Sequence, residues 1–183
     1  FPFDKFTEAD HSLSTQMKAT GEVMSIGRTF EESLLKAIRS LEIGLHHLHS
    51  RAFDEKNDHE LFEFIKIGTD DRIYAIAELL RRGYSVESIH HATAFDCFFI
   101  EKLRNIVNKE VEIKNSPLDK DNLYNAKKMG FADSTIAKLH GMTEDEVYQL
   151  RREYGITPVY KMIDTCASEF DSYIPYFYST YEN

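Results

Sequence analysis

The chain has 183 residues, 42% of them hydrophobic and 29% charged, and carries a net charge of −9. That suffices for one packed domain with or without appendages, and the acidic balance disfavours general binding to nucleic acid or to an anionic membrane. No apolar run approaches the roughly 18 residues of a membrane span, no basic-then-apolar leader is present, and Cys97 and Cys166 form no C-x-x-C, which fits free thiols in a reducing, cytoplasmic compartment. The first residue is Phe1 rather than Met, the start expected of an excised piece.

Residues 1–28 lack a clean period and read as loop with at most one short strand. Within them, "MKATGEVMSIGRT" brings Gly21 and Gly27 ahead of a helix. A phosphate-binding loop needs G-x-x-x-x-G-K-[ST]. Here five residues separate the glycines and Arg28 stands in place of Lys, so the motif fails. Thr29 opens the helix and Glu32 follows three residues later, the spacing of a capping box. Leu34, Ile38, Leu41 and Leu45 form an apolar stripe, with Gly44 placed to end it. "HHLHSRAFDEKND" reads as a polar linker.

Asp58 is positioned to cap a short helix ending at Gly68. "TDDRIYAIAELLRRG" is acidic at its start and basic at its end, as the helix dipole favours, with Ile73, Ile76, Ala77 and Leu80 inward. Ser85 and Asp96 cap the next two helices. Gly130 stops another, and Thr143 with Glu146 makes a second capping box before Gly155. From Thr157 onward the chain is rich in aromatic residues and reads as extended linker with at most one strand.

"RRGYSVESIHHATAFDCFFIEKLR" aligns without a gap on "KMGFADSTIAKLHGMTEDEVYQLR". Gly83 meets Gly130, Tyr84 meets Phe131, Ile89 meets Ile136, Ile100 meets Val147 and Leu103 meets Leu150. Two copies are too few for a solenoid, so a small domain of two similar helical units is expected. The second copy also has the look of a helix-turn-helix. Its last helix begins with Glu144, Asp145 and Glu146, where phosphate contacts would lie, and a packing-only helical hairpin is the better reading.

The histidines at 46, 47, 49, 90 and 91 have no spacing that enforces convergence on a metal, and are read as surface and helix-end residues. Cys166 has no His or Asn at a recognisable spacing to activate it, and reads as a packed residue. Glu22 lies beside Val23 and Met24 in an otherwise carboxylate-free loop. It is either a buried latch or tunnel-lining group, or an exposed loop carboxylate.

Four stretches carry a resemblance. "MKATGEVMSIGRTFEESLLKAIRSLE" resembles the end of an ATP-grasp synthetase domain in the carbamoyl phosphate synthetase large-chain family. "TDDRIYAIAELLRRGYSVESIHHAT" and "KKMGFADSTIAKLHG" are similar to that family's central helical domain, and "PVYKMIDTCASEFDSYIPYFYSTYE" to the linker into its second half. The matches follow the family's chain order over nearly the whole sequence.

The resemblance implies residues 1–50 as the remnant of the first synthetase domain, 51–156 as a helical oligomerization domain and 157–183 as linker. The expected fold is mainly α: a small helical domain of two similar units, with an N-terminal α/β remnant and an extended C-terminal linker. The family uses ATP with Mg or Mn and a glutaminase small subunit, but no residue here matches a catalytic, nucleotide or metal residue. Met17, Thr20 and Glu22 are placed nearest the passage that carries a labile intermediate, with the glycines serving close packing and a tight turn. Self-association is expected through 58–67. Leu61, Phe62, Phe64, Ile65 and Ile67 crowd a helix read as too short to bury them all, with Leu61, Phe62 and Ile65 at the contact; the alternative is that they pack under the preceding linker.

Overall fold

The structure is a computed structural model, and it describes residues 8, 12–13, 15, 23–166, 169–170 and 176–182. Its eight helices, in chain order, are α1 (Phe30–Ser40), α2 (Asp58–Lys66), α3 (Arg72–Arg81), α4 (Val86–Thr93), α5 (Cys97–Asn115), α6 (Lys120–Lys128), α7 (Asp133–His140) and α8 (Glu144–Glu153). A single 3-10 turn, Arg51–Phe53, lies between α1 and α2. The fold is mainly α, as the sequence patterns predict.

The repeat read from the sequence is a repeat of structure. Shifting α4 by 47 positions gives the bounds of α7, and the first residue of α5 falls on the first residue of α8. The turns before α4 and α7 close identically. Tyr84 N–H donates to Leu79 C=O (3.1 Å), and Phe131 N–H donates to Ala126 C=O (3.1 Å). The glycine in each turn has positive φ, +88° at Gly83 and +98° at Gly130, a conformation that a Cβ disfavours. Ile89, Ile100, Ile136 and Val147 are all fully buried.

α5 is the axis of the domain. It is 19 residues long, about 28 Å at 1.5 Å per residue, and packs against α1, α3, α4, α6 and α7. Ile100, Leu103, Ile106, Val107 and Ile113 supply its buried face. They share one continuous core with Leu35 and Ile38 of α1, Leu61 and Ile65 of α2, and Leu79 of α3.

Several local expectations need correction. The buried face of α1 is Leu35 and Ile38 rather than the stripe through Leu34, Ile38, Leu41 and Leu45, and Leu41 is exposed. The helix ends at Ser40, so Gly44 (φ +77°) sits in a later turn. Thr29 Oγ1 accepts the Glu32 N–H (3.2 Å), but the Glu32 carboxylate accepts from Arg28 N–H (2.7 Å), one residue before the expected partner. Asn57, not Asp58, caps α2, in a complete capping box with Glu60. Residues 44–57 are no loose linker, since Leu48 and Phe53 are in the core.

The C-terminal stretch also departs from expectation. It contains two strands, β1 (Val159–Ile163) and β2 (Tyr176–Thr180), paired antiparallel with Val159 opposite Thr180 and Ile163 opposite Tyr176. Neither strand has a clean polar–apolar alternation, because the pair packs only lightly and leaves Tyr160, Met162 and Phe177 exposed.

Candidate functional site

Two places were expected to carry function, and the structure treats each differently. Met17, Thr20, Gly21 and Glu22 lie outside the described residues. The segment that follows them is pinned down. Ser25 Oγ donates to Ser33 C=O (2.6 Å), and Lys36 Nζ donates to Ile26 C=O (2.8 Å), Glu32 Oε1 (2.8 Å) and Ser179 C=O (2.5 Å). A Cβ on Gly27 would stand 2.9 Å from Ser33 N, so this glycine does serve close packing.

The same lysine therefore ties the segment before α1 to strand β2. Glu182 strengthens the junction, lying 2.8 Å from Arg28 Nε and 3.2 Å from Lys128 Nζ. Beneath it is a buried charged cluster. Lys127 Nζ meets Asp133 Oδ1 at 2.7 Å, Arg151 Nη2 meets Asp133 Oδ2 at 2.9 Å, and both cations lie over the Tyr181 ring. Burial alone would raise the Asp133 carboxyl, but Lys127 and Arg151 hold it below its usual range. Burial lowers the Lys127 ammonium, against the pull of Asp133. The segment just before α1 and the end of β2 are thus held side by side.

The helix expected to mediate self-association does not present the expected surface. Leu61 and Ile65 have 0% exposure. They are core residues because α2 packs on α3 and α4, partners that its short length did not reveal. Phe62 stands edge-on to Tyr84 (4.9 Å between centroids) and Phe64 packs on Phe53 (5.0 Å). Of the five residues, Ile67 alone is exposed.

Within the helical units, a pair of exposed aromatic residues lies on α5 instead. Phe98 and Phe99 are 54% and 47% exposed and stack edge-on at 5.3 Å, and Phe99 also meets Phe30 at 5.4 Å. Beside them a cleft of about 450 Å³ is lined by Phe30, Ile73, Phe95, Phe99 and Leu103. The repeat supplies an internal control. The first turn of α5 reads Cys97-Phe98-Phe99, and the equivalent turn of α8 reads Glu144-Asp145-Glu146. One backbone thus carries an ordinary solvated, dipole-matched helix start in one copy and two exposed aromatic rings in the other. The sequence holds this contrast at the 47-residue offset.

A second feature escaped the sequence reading. His47, taken as a surface residue, is mostly buried, with Nε2 2.6 Å from Glu110 Oε1. Arg81 holds both oxygens of the same carboxylate, at 2.7 Å each. Burial alone would raise Glu110, but Arg81 and His47 outweigh it and bring it down to about 2. Burial also lowers His47, more than Glu110 raises it. An ionised Glu110 can only accept, so a neutral His47 donates through Nε2–H. Among the described residues no three or more His, Cys, Asp or Glu side chains are grouped to hold a metal ion. No described helix is long and apolar enough to cross a membrane.

Residues 22–155 match the family model described as carbamoyl-phosphate synthetase large chain, oligomerisation domain. The chain belongs to that family. In this oligomerisation domain the matched stretch runs from the segment pinned by Lys36 to the end of α8, and so contains both helical units. The family is one of ligases. The domain's description also gives the Phe98–Phe99 surface a context, because a domain that assembles chains needs an exposed contact face.

Proposed function

We propose that this chain is the assembly element of a glutamine-using carbamoyl phosphate synthetase, and that it associates with a second copy of itself through the Phe98–Phe99 face. The carrying observation is the contrast between the exposed aromatic pair on α5 and the acidic residues at the same positions of α8. Beyond their contacts within the chain these rings stay about half exposed where the sister unit is charged, and a second copy would bury that apolar surface.

On this reading the whole enzyme makes carbamoyl phosphate from bicarbonate, ammonia and two ATP. Glutamine hydrolysed in a partner subunit supplies the ammonia, and the product serves pyrimidine or arginine synthesis in the cytoplasm. ATP and Mg or Mn act elsewhere in that enzyme, and the chain contributes no catalytic, nucleotide or metal residue. Its role is structural, linking two synthetase halves. The junction at Lys36 and Glu182 supports the linking role, because it brings the two leads together. Met17, Thr20 and Glu22 remain the residues proposed to border the internal passage.

The competing reading is a DNA-binding helix-turn-helix formed by α7 and α8. The first turn of α8 counts against it. Glu144 and Asp145 face solvent there, and Glu146 is engaged with Thr143 N–H (2.8 Å), so three carboxylates would meet the phosphates.

Light scattering across a concentration series tests assembly. The chain is expected to form a dimer or larger species, which Phe98→Asp with Phe99→Glu dissociates and Phe62→Glu does not. A chain that stays monomeric at high concentration overturns the proposal. Dissociation by Phe62→Glu alone moves the contact to α2.

A further inference from the structure

The acidic chain keeps a cleft of the opposite sign. It has a volume of about 740 Å³ and lies between the 44–52 connection, α3, α5 and α7. Its floor is electrically settled, because Arg81 and His47 enclose Glu110 as described above. Glu110 is the one carboxylate among the lining residues.

The rim is not settled. Arg51, Lys114 and Lys138 line the cleft and are exposed. None of them has a side-chain hydrogen bond or ion pair with any described residue. Carboxylates outnumber cations in this chain, 31 to 22, and other lysines do find partners, as with Lys36 and Glu32, Lys66 and Glu63, or Lys109 and Glu112. Three unneutralised cations on one concave surface are therefore not what composition alone would give. Lys114 and Lys138 sit in the last turns of α5 and α7, where the helix dipole favours a cation. Arg51 opens a three-residue turn and has no such reason.

We propose that this cleft is a binding site for a small phosphorylated organic anion. Its volume falls within the roughly 300–1,000 Å³ of small-molecule sites. Arg51 offers a planar fork and the two lysines offer point charges, the combination that holds a phosphate group. Val111 and Leu139 give the same cleft an apolar wall for the organic part. A concave, low-dielectric surface focuses the field of its charges, so the site attracts anions although the whole chain is negative. The site is separate from the Phe98–Phe99 face, and nothing in its argument depends on assembly.

Isothermal titration at low ionic strength tests the proposal, with phenyl phosphate and pyrophosphate as probes and phenol as the unphosphorylated control. Phenyl phosphate is expected to bind with a Kd of about 1 mM or tighter, and phenol is not. Lys114→Glu with Lys138→Glu, and separately Arg51→Glu, should each weaken phenyl phosphate roughly tenfold or more. All three side chains are exposed, so the fold should survive, with far-UV circular dichroism as the check. Lys120→Glu, at an exposed lysine of α6 that does not line the cleft, should leave binding unchanged. The proposal is overturned if neither phosphorylated probe binds more tightly than about 10 mM. It is equally overturned if Lys120→Glu weakens binding as much as the cleft variants, or if phenol binds as well as phenyl phosphate.

Discussion

The unit built from α3, α4 and α5 and the unit built from α6, α7 and α8 share the bounds of their middle helices, turn hydrogen bonds and core positions, but they meet different surroundings. At Gly83 an added Cβ would touch nothing within 4 Å, whereas at Gly130 it would stand 2.9 Å from Glu32 Cα and 3.1 Å from Glu32 O. The second unit is docked against the backbone of α1 at the point where the first unit faces open space. Their buried charges differ too. The first unit is tied by Arg81 and Glu110 to the 44–52 connection, and the second, by Lys127, Asp133 and Arg151, to Tyr181. One repeat has thus been fitted to two neighbours by changing most of its side chains while its turn glycine and its apolar core positions were kept.

Replacing the paired glycines probes this comparison most strongly. Gly83→Ala suffers only the left-handed backbone and should lose about 1 kcal/mol in urea unfolding. Gly130→Ala adds a backbone collision and should lose about 3 kcal/mol or more. Equal losses would show that the second unit does not dock on α1 as described.

The buried carboxylate comes next. Glu110→Gln leaves Arg81 facing a neutral partner and should cost about 3 kcal/mol at pH 7. Glu110 is held at about 2 against an ordinary 4.5. Because its folded value is depressed, its contribution is complete above about pH 4.5 and disappears as pH falls toward 2. His47 is also depressed, from an ordinary 6.5, so its share begins to fade as pH drops below that. Urea midpoints measured from pH 7 down to 3 should fall in the wild type and fall less in Glu110→Gln. Parallel curves would remove Glu110 as a source of acid sensitivity.

Exchanging the surface pair should affect stability less than assembly. Phe98→Asp with Phe99→Glu gives the first unit the residues of the second, and should change unfolding by no more than about 1 kcal/mol while abolishing self-association. A larger loss of stability would mean that the rings belong to the chain's own core. The smallest effect is expected at Ala94, which ends α4 with φ +57° where its counterpart Gly141 ends α7 with φ +74°. Ala94→Gly should stabilise the chain by about 0.5 kcal/mol, a left-handed penalty removed less the added chain freedom. A loss in thermal unfolding would mean that the alanine methyl packs usefully.

What could be read from the sequence was local or repeated. Ser85, Asp96 and Thr143 cap helices through side chains acting two or three residues away, and the glycine stops need only their own φ, so both show in a short window. The two units were legible because their core positions recur at one offset. Leu61 and Ile65 were misjudged because what buries them comes from α3 and α4, not from their own helix. His47 was misjudged because its partner, Glu110, lies 63 positions away. The hairpin was missed because each five-residue strand needs the other to be recognisable, and neither alternates cleanly.

The junction at Lys36 and Glu182 also has a mechanical meaning. Residues 28 and 182 are bonded across 154 positions of chain. A pull applied at the two leads would load the contacts from Arg28 to Glu182 and from Lys36 to Ser179 before any tension reached α5. Those few polar bonds act as a latch in parallel with the helical core. While they hold, the domain adds no slack between residues 28 and 182, and if they yield first it becomes a spring of stored length.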